Sequence, residues 1–125
     1  MLRTYRIGEP GGDGLRLAVA RYLPRGVPKQ EYPKYFDLWL PLLAPTRELL
    51  QSFRKNDSVP RFFSRYRAEM KRPEPRQVIA LLALISRQME IALGCYCEDE
   101  SRCHRAVLRE LIEAAWRDHR GGKTG

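Results

Sequence analysis

The stretch Ile91-Ala-Leu-Gly-Cys-Tyr-Cys-Glu-Asp-Glu-Ser-Arg-Cys-His-Arg105 decides the fold, because it joins a predicted strand to a predicted helix. Its first residues alternate between apolar or cysteine side chains and smaller or more polar ones, which predicts a buried strand at 90–97. An amphipathic run then predicts a helix from about 101 to 119. Residues 77–88 form a strongly apolar helical run before the strand. A helix–strand–helix unit over 77–119 is typical of proteins that contain a parallel sheet.

The rest of the chain supplies further strands and helices. The predicted elements are strands at 2–7 and 15–22, an exposed loop at 27–35, a short or broken helix at 36–43, and helices at 47–55 and 60–72. We therefore expect one α/β domain over residues 1–120, with three layers and a small, partly parallel sheet flanked by helices. The glycine-rich residues 121–125 are expected to form a flexible tail.

The charge and the apolar runs of the sequence bear on which partners, location and cofactors the protein can have. The 125 residues carry a net charge of +8, and arginine greatly outnumbers lysine, which favours phosphate-bearing partners such as nucleic acid or a small phosphate ester. The longest apolar run, 78–85, is too short to span a bilayer, and the first residues lack the apolar core of a signal peptide. We expect a cytoplasmic protein without membrane contact. The glycine-rich turn 8–14 matches neither a dinucleotide fingerprint nor a P-loop, so no cofactor is expected.

All three cysteines lie close together near the predicted helix start. With Ser101 or Asp99 as N-cap, Cys103 would fall in the first turn, where the helix dipole and nearby arginines lower a thiol pKa while residues 98–100 oppose them. One interpretation is a nucleophilic cysteine, and the other is that the cysteines are small buried side chains. Adjacent helical residues point about 100° apart, so we do not expect Cys103 and His104 to pair as nucleophile and base.

A metal site is a further interpretation of the same residues. Cys95, Cys97, Cys103 and His104 are all zinc-compatible ligands. A Cys-x-Cys pair within an extended strand is nevertheless a poor chelate, and structural zinc usually uses wider cysteine spacings. The sequence therefore predicts no metal.

His104 and Arg105 occupy the side of an α/β sheet where ligands bind, beyond the carboxyl ends of the strands. A cation at a helix N-terminus is unfavourable to the helix dipole unless an anion or carboxylate offsets it. The two residues therefore indicate an anion site. The alternative is an internal salt bridge from Arg105 to the acidic residues at 98–100.

Four segments occur in an order that is typical of one family. They are Arg21-Tyr22-Leu23-Pro24-Arg25-Gly26, with leucine where the family has tryptophan; Trp39 to Leu49, with Leu43-Ala44-Pro45-Thr46; Phe62 to Met70, aligned on Tyr66 and Glu69; and Cys97 with Cys103-His104-Arg105, whose acidic position falls at Glu98 or Asp99. Together they resemble the bacterial and archaeal family known as domain of unknown function 488. The resemblance covers about residues 1–115 and implies an α/β fold with a recurring polar cluster.

The residues that the resemblance carries over suit a pocket for an anionic ligand. They are Arg21, Arg25, Tyr66, Glu98, His104 and Arg105. We expect the arginines to hold the anion, with Tyr66 and Cys97 also contacting the ligand. Candidate catalytic groups are His104 as proton donor, Glu98 orienting a basic partner, and Cys103. Such groups suit hydrolysis or transfer at a phosphate or glycosidic bond, and the alternative is a non-catalytic nucleic-acid-binding or adaptor module.

Overall fold

A four-stranded sheet organises the molecule, which a computed structural model describes over residues 2–9, 13–23, 25–55 and 58–120. The strands are β1 (Leu2–Arg6), β2 (Leu15–Ala18), β3 (Leu38–Trp39) and β4 (Ile91–Cys95). They lie in the order β1-β4-β2-β3, and every neighbouring pair is parallel. The α/β class is confirmed, and the sheet is parallel throughout rather than in part. The predicted tail at 121–125 lies outside the described residues.

Four α-helices and three short 3₁₀ helices complete the described part of the chain. The α-helices are α1 (Arg47–Arg54), α2 (Val59–Glu69), α3 (Pro73–Ile85) and α4 (His104–Arg120), and the 3₁₀ helices are Lys29–Lys34, Pro41–Leu43 and Glu100–Arg102. Thr46 and Ser58 cap α1 and α2 as predicted, because their hydroxyls accept from the backbone N–H groups of Leu49 and Arg61.

The main core lies between the sheet and the α-helices. Leu17 of β2 and the pair Ile91 and Leu93 of β4 face the helices, where they pack with residues of α1 to α4. Ala18 and Ala92 point to the opposite face and form a second, smaller cluster. This alternation follows from the two-residue period of a strand.

The 3₁₀ helix Lys29–Lys34 and the aromatic residues after it cover that second face. The Tyr5 hydroxyl donates to the carbonyl of Tyr35 at 2.7 Å, which fastens this segment to β1. Gly94 permits the contact, because a Cβ at that position would lie 2.5 Å from Cζ of Tyr5. The prediction of an exposed loop at 27–35 was therefore wrong in part: the segment is a third layer of the fold.

The short or broken helix predicted at 36–43 is confirmed only at its end, where Pro41–Leu43 form a 3₁₀ helix, whereas Leu38–Trp39 form β3. The amide of Asp37 donates to the carbonyl of Arg16 and the amide of Leu40 to that of Ala18, both at 2.8 Å. Pairing with β2 thus satisfies the backbone, whereas Pro41 has no N–H to continue a helix. The hydrogen-bonded guanidinium of Arg16 also holds the pKa of Asp37 below its usual value.

Several predicted ends differ from those observed. Helix α3 begins at Pro73 instead of 77, because proline is well tolerated in a first turn. Strand β4 ends at Cys95, two residues before the predicted end, so Cys97 lies in the following turn. Helix α4 begins at His104 rather than at 101, and Asp99 caps the preceding 3₁₀ helix. These last two differences change the geometry of the cysteines.

Candidate functional site

A cleft of about 830 Å³ opens beyond the carboxyl ends of β2 and β4. The chain leaving β2, the turn after β4, helix α1 and the start of α4 all contribute to its wall. The described residues that line it are Ala20, Arg21, Tyr22, Leu23, Arg25, Pro45, Leu50, Phe53, Arg54, Phe62, Cys95, Tyr96, Cys97, Arg102 and His104. In open parallel sheets this end is where ligands bind.

Four arginines, Arg21, Arg25, Arg54 and Arg102, line the cleft. No aspartate or glutamate occurs among its described lining residues. Arg25, Arg54 and Arg102 are exposed to solvent. The wall is therefore strongly electropositive.

Arg21 is the most restrained of these arginines. Its Nε donates to the carbonyl of Pro45 at 2.9 Å and its Nη2 to that of Pro41 at 3.0 Å. These bonds join the end of β2 to the turn before α1 and fix the direction of the guanidinium. Its Nη1 makes no hydrogen bond to any described residue.

Aromatic side chains form the apolar part of the wall. Phe53 and Phe62 stack with ring centroids 4.3 Å apart. The guanidinium carbon of Arg102 lies 6.0 Å from the centroid of Phe53, within the range of a cation–π contact. Tyr22 is exposed at the rim, whereas burial raises the pKa of Tyr96 to about 12. Charged and apolar surface thus lie side by side.

His104 borders the cleft but is almost completely buried. Its Nε2 lies 2.7 Å from the carbonyl oxygen of Val19. A carbonyl can only accept, so Nε2 carries the proton and Nδ1 is an acceptor in the neutral ring. Burial lowers the pKa of His104 to about 4. The only ring N–H of the neutral form is therefore held by the backbone, and the geometry does not support the predicted role as proton donor.

Cys103 and His104 face each other, contrary to the sequence argument. The Cys103 sulfur lies 3.8 Å from His104 Nδ1. Cys103 precedes α4 and has an extended backbone, φ −108° and ψ 141°, so the 100° rotation between helical neighbours does not apply. The expected lowering of its pKa was also wrong. Hydrogen bonding with the sulfurs of Cys95 and Cys97, together with burial, raises the pKa of Cys103.

Cys97 is the cysteine whose environment favours the thiolate. The thiols of Cys103 and Cys95 lower its pKa by hydrogen bonding, and the charge of Arg105 acts in the same direction. Cys97 is exposed and lines the cleft, whereas Cys95 and Cys103 are buried.

Arg105 lies beneath the cleft and is only 4% exposed. Its Nη1 donates to the carbonyl of Cys97 at 2.9 Å and contacts the Cys103 sulfur at 3.5 Å. Its Nε is buried without a hydrogen-bond partner among the described residues. Arg105 therefore neither lines the cleft nor forms the alternative salt bridge to the acidic residues at 98–100.

The structure does not bring Tyr66 and Glu98 into the cleft lining. Tyr66 is fully buried, its hydroxyl donates to the carbonyl of Leu43 at 2.6 Å, and its ring meets that of His104 edge-on at 5.3 Å. The side chain of Glu98 is 82% exposed and pairs with Arg6 at 3.5 Å. Of the predicted site residues, Arg21, Arg25, Cys97 and His104 line the cleft together.

Sequence reasoning did not assign Arg54 and Arg102 to this site. Arg102 immediately precedes Cys103, so its position in the chain was a usable signal. Arg54 ends α1, and only the packing of that helix brings it to the cleft.

These features define a class of protein: a small α/β domain with a parallel sheet and an arginine-lined cleft at the carboxyl ends of its strands. The chain belongs to the DUF488-N3a family, described as the active DUF488-N3 subclade, whose sequence profile matches residues 2–116. The resemblance inferred from the four motifs is thus confirmed. No curated protein and no solved structure matches the chain. Within the described ranges, none of the helices has the length and apolar character to cross a membrane.

Proposed function

We propose that the cleft binds a phosphate-bearing ligand of the nucleotide type. The observation that carries the proposal is the set of four lining arginines without a carboxylate among the described lining residues. Like charges in one cleft repel each other, and an anion relieves that repulsion. Arginine suits this task because its planar guanidinium makes paired hydrogen bonds to phosphate oxygens.

The aromatic wall supports a ligand with a flat or apolar part beside its phosphate. Phe53 is half-buried and lies next to Arg102, Tyr22 is exposed at the rim, and the buried Phe62 stacks behind Phe53. Nucleobases stack on such rings at about 1–3 kcal/mol per base. A nucleotide could then place its phosphate near the arginines and its base against the aromatic part of the wall.

Hydrolysis or transfer at a phosphate or glycosidic bond is the reaction class that these groups suit. Preorganised guanidinium groups stabilise charge that develops on phosphate oxygens in a transition state. The family's description as an active subclade agrees with turnover. In this proposal the contribution of the chain is electrostatic, through Arg21, Arg25 and Arg102, rather than proton transfer by His104.

The second candidate is a non-catalytic module that binds nucleic acid. The net charge of +8 and the exposure of Arg25, Arg54 and Arg102 favour it. Binding to a polyanion would weaken steeply with salt, because each neutralised phosphate releases counterions.

A binding and turnover assay tests the proposal. The purified chain is titrated with nucleoside mono-, di- and triphosphates and with single-stranded DNA and RNA by calorimetry and fluorescence anisotropy, and product formation is followed by chromatography. We expect nucleotide binding that Arg102→Ala weakens at least about tenfold, since a charge-assisted hydrogen bond contributes about 1.5–3 kcal/mol. Arg117→Ala is the matched control, because Arg117 is exposed about 20 Å further along α4.

The outcomes separate the two candidates. Turnover of a nucleotide that is lost in Arg102→Ala supports the enzyme, whereas tight binding of long single strands without turnover supports the binding module. Equal losses in Arg102→Ala and Arg117→Ala would mean that only overall charge matters, which contradicts a site in the cleft.

A further inference from the structure

Three sulfurs and one imidazole gather between the end of β4 and the start of α4. Ligand atoms of Cys95, Cys103 and His104 all lie within 4.8 Å of one another, and all three residues are buried. The Cys97 sulfur lies outside that group, but Cys97 follows Cys95 by two residues and lines the cleft beside His104. We propose that Cys95, Cys103 and Nδ1 of His104 bind a zinc ion, with Cys97 turning inward to supply the fourth ligand.

The spacing of the buried trio Cys95, Cys103 and His104 suits three corners of a tetrahedral site. With Zn–S bonds of about 2.3 Å and a Zn–N bond of about 2.0–2.1 Å, tetrahedral ligand atoms lie roughly 3.5–3.8 Å apart. The distance between the Cys103 sulfur and His104 Nδ1 is 3.8 Å. The other separations in the buried trio are at most 4.8 Å, so side-chain adjustments of about 1 Å bring them to bonding geometry.

His104 is already held in the tautomer that a metal requires. Its Nε2–H donates to the carbonyl of Val19 at 2.7 Å, which leaves the Nδ1 lone pair directed toward the sulfurs. Metal-binding histidines commonly donate their second ring N–H to a backbone carbonyl, because that bond fixes the ring and increases the basicity of the ligating nitrogen.

Arg105 provides an independent argument. Its guanidinium is buried, contacts the Cys103 sulfur at 3.5 Å, and forms no ion pair with a carboxylate in the described part of the chain. A buried cation needs an opposite charge nearby, and the sulfurs around Arg105 can supply one as thiolates. Three thiolates and one imidazole around Zn²⁺ carry a net charge of −1, which Arg105 would neutralise at short range.

The objection drawn from the sequence does not hold in the structure. A Cys-x-Cys pair chelates poorly within an extended strand, but β4 ends at Cys95 and Cys97 lies in the turn beyond it. Cys103 and His104 then return to the same place after the 3₁₀ helix Glu100–Arg102, and so supply the second pair of ligands.

Metal content and cobalt spectroscopy test the site. The full chain is purified under reducing conditions, its zinc is measured by mass spectrometry, and the metal-free form is titrated with Zn²⁺ and Co²⁺. We expect one zinc per chain, and in the cobalt form the intense visible bands of a tetrahedral ion with thiolate-to-cobalt charge-transfer absorption. A reduced, folded wild-type chain that takes up neither ion would overturn the proposal.

Variants assign the ligands. Cys97→Ser changes an exposed residue, so we expect it to fold, to bind cobalt more weakly and to lose part of the charge-transfer absorption. Cys103→Ala should lose the metal, with circular dichroism as the check on folding. His119→Ala is the matched control, because His119 is exposed on α4, and it should bind as wild type does. Unchanged cobalt spectra in both cysteine variants would place any bound metal elsewhere and contradict these ligands.

Discussion

The exposed arginines of the cleft and the buried Arg105 lie near the start of α4 in different surroundings. Arg25, Arg54 and Arg102 line the cleft, are exposed, and have no carboxylate beside them in its described wall. Arg105, three residues after Arg102, is buried and contacts a backbone carbonyl and a sulfur. A guanidinium in water is available to a ligand, whereas a buried one is committed to the fold. Position in a motif alone does not distinguish the two groups.

The largest expected effect is the loss of stability in Arg105→Ala. Replacing Arg105 with alanine leaves the carbonyl of Cys97 without its donor and removes the charge beside the sulfurs. We expect the free energy of unfolding to fall by about 3 kcal/mol, measured by urea denaturation, because a hydrogen bond from a charged donor is lost and its acceptor is left unpaired. Arg109→Ala is the control, since Arg109 pairs with Glu113 at the surface and its loss should change stability by less than about 1 kcal/mol. Equal stabilities of the two variants would remove the contrast between buried and exposed arginines.

Tyr66→Phe should also lower stability, by less than Arg105→Ala, and should leave ligand affinity unchanged. The substitution deletes the hydroxyl that donates to the carbonyl of Leu43 at 2.6 Å and leaves that oxygen buried without its partner. We expect a loss of about 1–3 kcal/mol in stability, with ligand affinity unchanged in the folded protein. The measurements are thermal unfolding and nucleotide titration. A loss of affinity without a loss of stability would indicate that Tyr66 contacts the ligand.

Replacing the exposed arginines of the cleft should weaken binding and leave stability nearly unchanged, whereas replacing the buried residues should lower stability. For Arg25→Ala and Arg54→Ala we expect stability changes within about 0.5 kcal/mol, because the removed side chains are exposed. Binding to single-stranded nucleic acid should weaken, and the slope of log affinity against log salt should fall by about 0.7 for each phosphate that the variant no longer neutralises. Anisotropy titrations over a salt series measure both. An unchanged slope in both variants would place the anion elsewhere.

Glu98→Gln should have the smallest effect. Glu98 is 82% exposed on its side chain and pairs with Arg6 across the surface at 3.5 Å. We expect stability to change by less than about 0.5 kcal/mol and turnover to remain as in the wild type, since Glu98 is exposed and does not line the cleft. A turnover assay measures this effect. A loss of rate with binding intact would show that Glu98 takes part in catalysis.

The sequence predicted what depends on local patterns. The apolar periodicity around Ile91 and the capping residues Thr46 and Ser58 are local, and both were confirmed. Strand β3 was missed because it has two residues and forms only by pairing with β2. Proline content there resembled a broken helix. A segment that short carries no period from which to predict it.

The site was predicted less completely because its geometry depends on a few backbone angles and on distant packing. One extended residue, Cys103, turns its side chain toward His104, and no pattern in the sequence specifies that conformation. Arg54 reaches the cleft through the placement of α1. The motifs pointed to the end of the sheet where the cleft opens, without separating residues in the cleft from those beneath it.

The strand order has a consequence for how the protein is made. Strands β1 and β2 do not pair with each other: both pair with β4, which lies between them and comes from the last third of the chain. During synthesis the ribosome must therefore release more than 90 residues before the first two strands can find their shared partner. Until then the edges of β1 and β2 that pair with β4 remain open, and unpaired strand edges are places where a partly made chain can associate with another.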